Sequence, residues 1–371
     1  MKINKFLQKC FKKIFKRLFI LFYGKITISI QLENNNYKKH KINKILLGNN
    51  RKYNANYIIY EIPNGRVYTD TIEHVAIIKD NKLLSDISYQ QVLGELKSIE
   101  FNKVLSSGTP RLIKKIKGQM LSLVQGASGE NYFHFLFDIV SRLKIFEQKY
   151  SLEKIDFFYV PGDINFQKII FKLFAIDESK LISSKTYRHI EASKLFAVNH
   201  PWYHKGYVQN EIANMPNWII FWLREKFLNL SKKFDCNDKI FIDRSESKFK
   251  HCQLLNNHQV IAFLESKGFT SYKIGELDFL EQVYLFNNAK VIIGPHGAAF
   301  SNIIFSKPKT EIIEIIPDNH PSIKCQKLSK TLDLNYTKII RPKITPSDHS
   351  SGDMEMDTKI IEDVLKKLHL K

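Results

Sequence analysis

The chain has 371 residues, 44% of them hydrophobic and 12% aromatic, and a formal net charge of +20. That length is long for one hydrophobic core and asks for two domains, which the apolar fraction can fill. The four cysteines, Cys10, Cys236, Cys252 and Cys325, are scattered, which excludes a metal-ligand spacing or a disulfide framework and fits a reducing cytoplasm.

Residues 3–22 place Ile3, Phe6, Leu7, Cys10, Phe11, Ile14, Phe15, Leu18, Phe19 and Phe22 at helical steps, with lysines between them. Lysine interrupts this stripe too often for a membrane span, and the apolar core is too short for a signal peptide. The pattern predicts a basic amphipathic helix over residues 1–25, lying on an anionic membrane surface. Residues 26–119 read as β-rich, with short runs at Ile26–Ile30, Tyr57–Tyr60 and Val75–Ile78. Turn signals at Asn49-Asn50, Pro63-Asn64-Gly65 and Asp80-Asn81 separate them.

An α/β pattern begins at about residue 120: a strand at Met120–Val124, a helix over 131–148, a strand at Ile155–Val160 and a helix at Phe166–Phe174. A long aromatic helix follows over 209–231. From residue 233 the alternation is regular. Strands at Lys239–Asp243, Thr270–Ile274, Lys290–Ile293, Glu311–Ile316 and Thr337–Arg341 alternate with helices at Asn257–Ser266, Phe279–Asn287, Ala298–Phe305 and Ser322–Thr331, and a last helix starts at Thr358. This is the pattern of a doubly wound, Rossmann-like parallel sheet.

Three constellations carry possible chemistry. Asn131, His134, Asp138 and Arg142 fall at steps of three, four and four, so on a helix they form one polar stripe among apolar neighbours. Two roles fit: a structural one, with Asn131 as N-cap, His134 on Asp138 and Asp138 paired with Arg142, and a catalytic one, with Asp138 or His134 as general base. The strand ending in Asp243-Arg244-Ser245-Glu246-Ser247-Lys248 puts Arg244, Ser245 and Lys248 at the carboxyl edge of the sheet, where cationic side chains can clamp phosphate. At Gly294-Pro295-His296-Gly297-Ala298-Ala299 a buried strand turns into a helix. The backbone N–H groups of Gly297, Ala298 and Ala299, with His296, can cradle a diphosphate there, and Glu314 ends the neighbouring strand on the same edge. No dinucleotide or P-loop fingerprint is present, and no Asp-x-Asp follows a strand to hold a divalent metal. The segment Asn199-His200-Pro201-Trp202-Tyr203-His204 offers aromatic faces for stacking on a sugar, or for core packing.

The ordered set Asn131-x-x-His134-Phe135-Leu136-x-Asp138-x-x-x-Arg142-Leu143, Arg244-Ser245, Glu281-Gln282-Val283, Gly294-Pro295-His296-Gly297-Ala298 and Glu314-Ile315-Ile316-Pro317 resembles glycosyltransferase family 61. The chain departs from that pattern in having Phe135 where many relatives have Trp, Ser141 where they have Pro, and Cys252-Gln253-Leu254-Leu255-Asn256-Asn257 at the start of a helix. The resemblance implies a GT-B-like α/β architecture of two Rossmann-like domains facing a cleft, here with a β-rich accessory region and the amphipathic helix before them. It also implies metal-independent, commonly inverting transfer from a nucleotide-sugar donor to a glycan or lipid-linked acceptor. The expected organisation is an acceptor domain over 120–232 and a donor domain over 233–371. The donor contacts would be Arg244, Ser245, Lys248, His296, Gly297, Ala298, Ala299 and Glu314, the catalytic groups Asp138 and His134, and Asn131 and Arg142 their support.

The function expected is assembly of a cell-surface polysaccharide such as a capsule, at the cytoplasmic face of the cell membrane, with no metal, cofactor or nucleic acid. The rivals are an inactive sugar- or nucleotide-binding relative, and a nucleic-acid-binding protein suggested by the net charge.

Overall fold

The computed structural model describes residues 2–28, 36–48, 50–69, 74–107, 112–125, 129–162, 164–247, 251–318, 320–344 and 352–370. The chain forms two compact units, residues 1–218 and 219–371.

In the first unit the strands are β1 (Thr27–Ile28), β2 (Lys38–Leu46), β3 (Lys52–Thr69), β4 (Val75–Lys79), β5 (Lys82–Leu83), β6 (Gln91–Val92), β7 (Glu95–Leu96), β8 (Lys114–Ser122), β9 (Phe157–Val160), β10 (Leu181–Ser183), β11 (His189–Val198) and β12 (Gly206–Tyr207). Nine of them make one mixed sheet in the order β1-β5-β4-β3-β11-β8-β9-β10, with β2 also paired to β3; β12-β7-β6 form a small second sheet. The strands of residues 27–83 therefore continue into those of 114–198. The hinge of the arrangement is β3, antiparallel to β2, β4 and β11, while β11, β8, β9 and β10 run parallel.

Two sequence signals act differently from expectation. Pro63-Asn64-Gly65 does not end a strand but lies inside the 18-residue β3, where Asn64 takes a left-handed φ of 49° and the chain stays paired on both sides. The helix expected over 209–231 is interrupted at Met215-Pro216, because proline cannot donate to the preceding turn; the regular helix runs over Asn217–Phe227. Asp80-Asn81 does form the tight β4–β5 turn, with φ of 47° and 58°, as a two-residue hairpin of this twist requires.

The second unit is a five-stranded, wholly parallel sheet of β13 (Lys239–Asp243), β14 (Thr270–Lys273), β15 (Val291–Pro295), β16 (Glu311–Pro317) and β17 (Asn335–Arg341), in the order β14-β13-β15-β16-β17. Helices Asn257–Ser266, Phe279–Asn288, Lys324–Leu332 and Thr358–Lys367 and the 3-10 helix Ala298–Phe305 connect or close it. The local chemistry agrees with the pattern. Asp278 and Glu281 form a reciprocal capping box at the start of Phe279–Asn288, and Asp333 in the left-handed region stops Lys324–Leu332. The β-branched β15 is buried along its length, as a central parallel strand must be. Phe241, Ile293, Ile313 and Ile315 share its core with Val260, Leu264 and Ile361, each contributing roughly 1.5–3 kcal/mol by leaving water.

The order of this sheet, second strand, first, third, fourth and fifth, makes the chain reverse direction across it between β13 and β15. In open parallel sheets ligands bind at such a switch point, beyond the carboxyl ends of the two strands.

Candidate functional site

The carboxyl edge at the β13/β15 switch point is where the sequence reading expected phosphate-binding residues. The two strands pack closely at Gly294: a Cβ there would lie 2.7 Å from Cβ of Ile242, so only glycine lets β15 pass β13 this closely. Immediately beyond, the Arg244 guanidinium donates to the carbonyl of His296, and its Nη2 lies 3.5 Å from Ser247 Oγ. Lys324, at the start of its helix and almost wholly buried, donates from Nζ to the Gly297 carbonyl at 2.6 Å. Two cations thus hold the carbonyls of the turn from one side. The turn then enters the 3-10 helix Ala298–Phe305, which has no side-chain cap, so the first amides at Ala298 and Ala299 carry the unsatisfied donors of a helix start.

Glu314, in the middle of the apolar β16, is buried. Its Oε1 accepts from His296 Nδ1 at 2.5 Å and from the Cys325 thiol at 3.1 Å, and Oε2 accepts from the Tyr336 hydroxyl at 2.6 Å. Burial alone would raise the pKa of Glu314, but His296 and the Tyr336 hydroxyl outweigh it and hold it at about 2. An ionised Glu314 fixes the proton of His296 on Nδ1 and leaves Nε2 available. The ring of His320 sits 4.3 Å from that of His296; burial, then the neighbouring His296, pushes its pKa down to about 3. Burial likewise lowers His296, Arg244 and Lys324 from their ordinary values. The site therefore concentrates positive or proton-accepting groups around one compensated carboxylate.

Of the expected donor residues, Arg244, His296, Gly297, Ala298, Ala299 and Glu314 meet at this edge. Ser245 does not present a free hydroxyl there: its Oγ and N–H both donate to Asp243, at 2.9 Å each, and Asn257 donates to the same carboxylate at 2.9 Å. Lys248 lies outside the described residues. Sequence reasoning missed His320 and Lys324, whose only signal was their position after the carboxyl end of β16.

The second constellation lies in the first unit, on the helical stretch from Tyr132 to Glu147. Asn131 caps it, its Oδ1 accepting from the N–H groups of Phe133 at 3.0 Å and His134 at 3.4 Å. Asp138 is completely buried and sits in a π-helical turn, Phe135–Val140. Its Oδ2 accepts from His134 Nδ1 at 2.8 Å, and its Oδ1 from Trp202 Nε1 at 2.9 Å. His200 Nε2 lies 3.4 Å from Oδ2. The tautomer of His200 follows from its other nitrogen: Nδ1 accepts from the backbone N–H of Trp202 at 3.2 Å and of Tyr203 at 2.9 Å, so the proton is on Nε2, facing Asp138. Burial opposes ionisation of Asp138, but the imidazoles of His200 and His134 hold its pKa well below the usual carboxylate range. Burial in turn pushes His200 down to about 4.

The expected Asp138–Arg142 pair does not form. Acceptors on the segment after β8 take the guanidinium instead: it donates to Val124 O at 3.2 Å and Gln125 Oε1 at 2.7 Å, lying 5.6 Å from the Tyr89 ring. His200 and Trp202 take its place beside Asp138, from the segment in which the sequence suggested sugar stacking; both side chains are buried. Chemically, Asp138 is an orienting carboxylate with almost no exposure, whereas His134 has Nδ1 engaged and no hydrogen-bonding partner for Nε2 among the described residues. Among the described residues no group of three or more His, Cys, Asp or Glu side chains is arranged to hold a metal ion.

Compared with known proteins, residues 132–313 match the family model described as Glycosyltransferase 61. No curated protein matches the chain. The matched stretch includes His134, Asp138, Arg142, His200, Arg244 and His296, and ends one residue before Glu314. On that match the chain carries a glycosyltransferase family 61 domain and is a glycosyltransferase.

Proposed function

We propose that the protein transfers a sugar from a nucleotide-sugar donor, without a metal and with inversion, to a glycan or lipid-linked acceptor of a cell-surface polysaccharide such as a capsule. The observation that carries this is the cationic cluster at the carboxyl ends of β13 and β15, where Arg244, Lys324, His296 and the uncapped amides of Ala298 and Ala299 converge. Those groups supply what a departing diphosphate needs in place of a metal. In this proposal the acceptor hydroxyl attacks the anomeric carbon, His134 Nε2 takes its proton, and the bond to the diphosphate breaks with the charge left on the nucleotide. Asp138 orients and stabilises the resulting imidazolium. The two units are then the halves of a GT-B enzyme.

The helix Lys2–Tyr23 leaves Phe6, Leu7, Phe11, Ile14, Phe15, Leu18, Leu21 and Phe22 exposed among lysines. Among the described residues no helix is long and apolar enough to cross a membrane. We assign this helix to the surface of an anionic bilayer, at the cytoplasmic face.

The test is calorimetric titration of a panel of nucleotide sugars and free nucleoside diphosphates in the presence of a chelator, with nucleotide release measured on the same preparation. Binding with release supports the proposal; binding without turnover on any acceptor makes the chain an inactive relative. Removal of residues 1–24 is expected to lower binding to phosphatidylserine vesicles at low salt by at least a hundred-fold, since each lysine near the surface contributes about 1 kcal/mol. Undiminished sedimentation with vesicles overturns the membrane assignment.

A further inference from the structure

One cavity of the first unit has no role in the account so far. It has a volume of about 440 Å³ and lies between β3, the turn at Ser85–Ile87, the stretch after β7 and the residues following β11. That size suits a small polar ligand of one or two rings. Two tyrosines, Tyr60 and Tyr89, contribute to its wall. Its polar lining carries both signs and both hydrogen-bonding senses. Asp86 accepts, holding the Tyr60 hydroxyl at 2.8 Å and pairing with Lys39 at 3.3 Å, and the Lys97 ammonium is paired with Glu95, so both charges are already compensated. The Asn199 Oδ1 accepts from the Ile58 N–H at 3.0 Å, which leaves the Nδ2 donors to a ligand, and His204 has no hydrogen bond to its ring among the described residues. A lining of this kind does not suit a diphosphate, for which the second unit's cationic cluster is proposed. It suits a neutral molecule with many hydroxyls and apolar ring faces.

The cavity also shares a wall with the Asp138 cluster. The Tyr89 hydroxyl accepts from the backbone N–H of His200, the Tyr89 and His200 rings meet edge to face at 5.7 Å, and Arg142 Cζ lies over the Tyr89 ring, 5.6 Å from its centroid. His204, on the cavity side, is 6.5 Å from His200, centroid to centroid. A ligand here would press on the residues that hold the carboxylate behind His134.

We propose that this cavity is a binding site for a neutral saccharide, a sugar unit of the acceptor glycan. The inference rests on the glycosyl-transfer reading for the word acceptor, but not for the site itself. The experiment is saturation-transfer NMR on the full-length protein with methyl glycosides of hexoses, 6-deoxyhexoses, pentoses and N-acetylhexosamines. Parallel samples carry Ser85→Trp or Ser98→Trp, each of which fills the cavity from an exposed position on its rim. Saturation transfer to at least one glycoside, lost in whichever tryptophan variant keeps the parent melting temperature, is expected, with nucleotide affinity by calorimetry unchanged. No transfer to any glycoside, or transfer that persists in a folded tryptophan variant, overturns the site. If glycosides bind but no nucleotide sugar does, the donor assignment fails while the saccharide site stands.

Discussion

The molecule builds the same pair twice, a buried carboxylate on Nδ1 of a histidine, and gives it two different surroundings. Glu314–His296 stands at the open edge of a parallel sheet, with Arg244 and Lys324 bracing the adjacent turn. Asp138–His134 stands in a helix packed with aromatic rings, and its other neighbours are a neutral histidine and an indole N–H. A histidine pair among cations is suited to receive an anion. The same pair, with neutral donors on its carboxylate and no cation bonded to the turn beside it, is suited to receive a proton, because the carboxylate stabilises the imidazolium that forms. The environment, more than the dyad, sets the task.

The sharpest way to break this contrast is His134→Ala. Loss of a general base is expected to cut sugar transfer by roughly a hundred-fold or more, with nucleotide affinity unchanged; near-normal turnover would remove His134 from the chemistry. Next in size is the opposite pair. Arg244→Ala is expected to lower nucleotide affinity about ten- to a hundred-fold, as a charged hydrogen bond worth about 1.5–3 kcal/mol is lost. Gly297→Ala sharpens the same point without removing a polar group. Its backbone is extended and unstrained, but the added Cβ would lie 2.6 Å from Arg244 Cζ and displace the guanidinium. Calorimetry should show weakened binding with an unchanged melting temperature, and full affinity would mean that Arg244 need not sit where it does.

Asp138→Asn tests burial more than catalysis. The amide NH₂ must face one of the ring N–H donors that the carboxylate now accepts, so about 1–3 kcal/mol of stability should be lost, seen as a lower melting temperature. An unchanged melting temperature would contradict the tightness of the cluster. The smallest expected effect is on pH dependence. With a folded pKa of about 4 against an ordinary 6.5, His200 binds a proton more readily in the unfolded chain. Its contribution is full above about pH 6.5 and declines as pH falls toward 4. His200→Asn keeps an acceptor for the two backbone amides and removes the titration, so melting temperature should fall less steeply over that window. An identical slope would assign the acid sensitivity to other groups.

Much of this was legible in the sequence, for physical reasons that differ by region. In the second unit, hydrophobic period and turn chemistry marked strands such as β13 and the helix Asn257–Ser266 at the residues where they lie. Once the alternation is known, a parallel sheet brings every strand's carboxyl end to one edge, so Arg244, His296 and Glu314 could be grouped in advance. His134 over Asp138 was equally local. The mixed sheet was harder, because β2 and β11 carry lysines that weaken their apolar pattern and because Pro63-Asn64-Gly65 has the composition of a turn. The partners His200 and Trp202 come from more than sixty residues away, and a π turn leaves no simple trace in residue spacing. Lys324 is an ordinary lysine in sequence; only the buried position shows that its charge is aimed at a peptide carbonyl.

The central strand β3 also bears on how the chain acquires its structure. Ile59 pairs with Val198 and Tyr68 with His189, so the register of β3 is completed by residues synthesised long after it. Closing so large a loop carries an entropic cost before any contact forms, and topologies rich in such pairings fold slowly. Until β11 arrives, one edge of the longest strand in the chain is open to pairing with a strand of another molecule. In the second unit each parallel neighbour is one βαβ step or two away, and the whole sheet is made from residues between Lys239 and Arg341. Newly made protein should therefore show protected amides in β15 and β16 earlier after its synthesis than in β3, and its aggregation in the cell should be governed by the wait for β11.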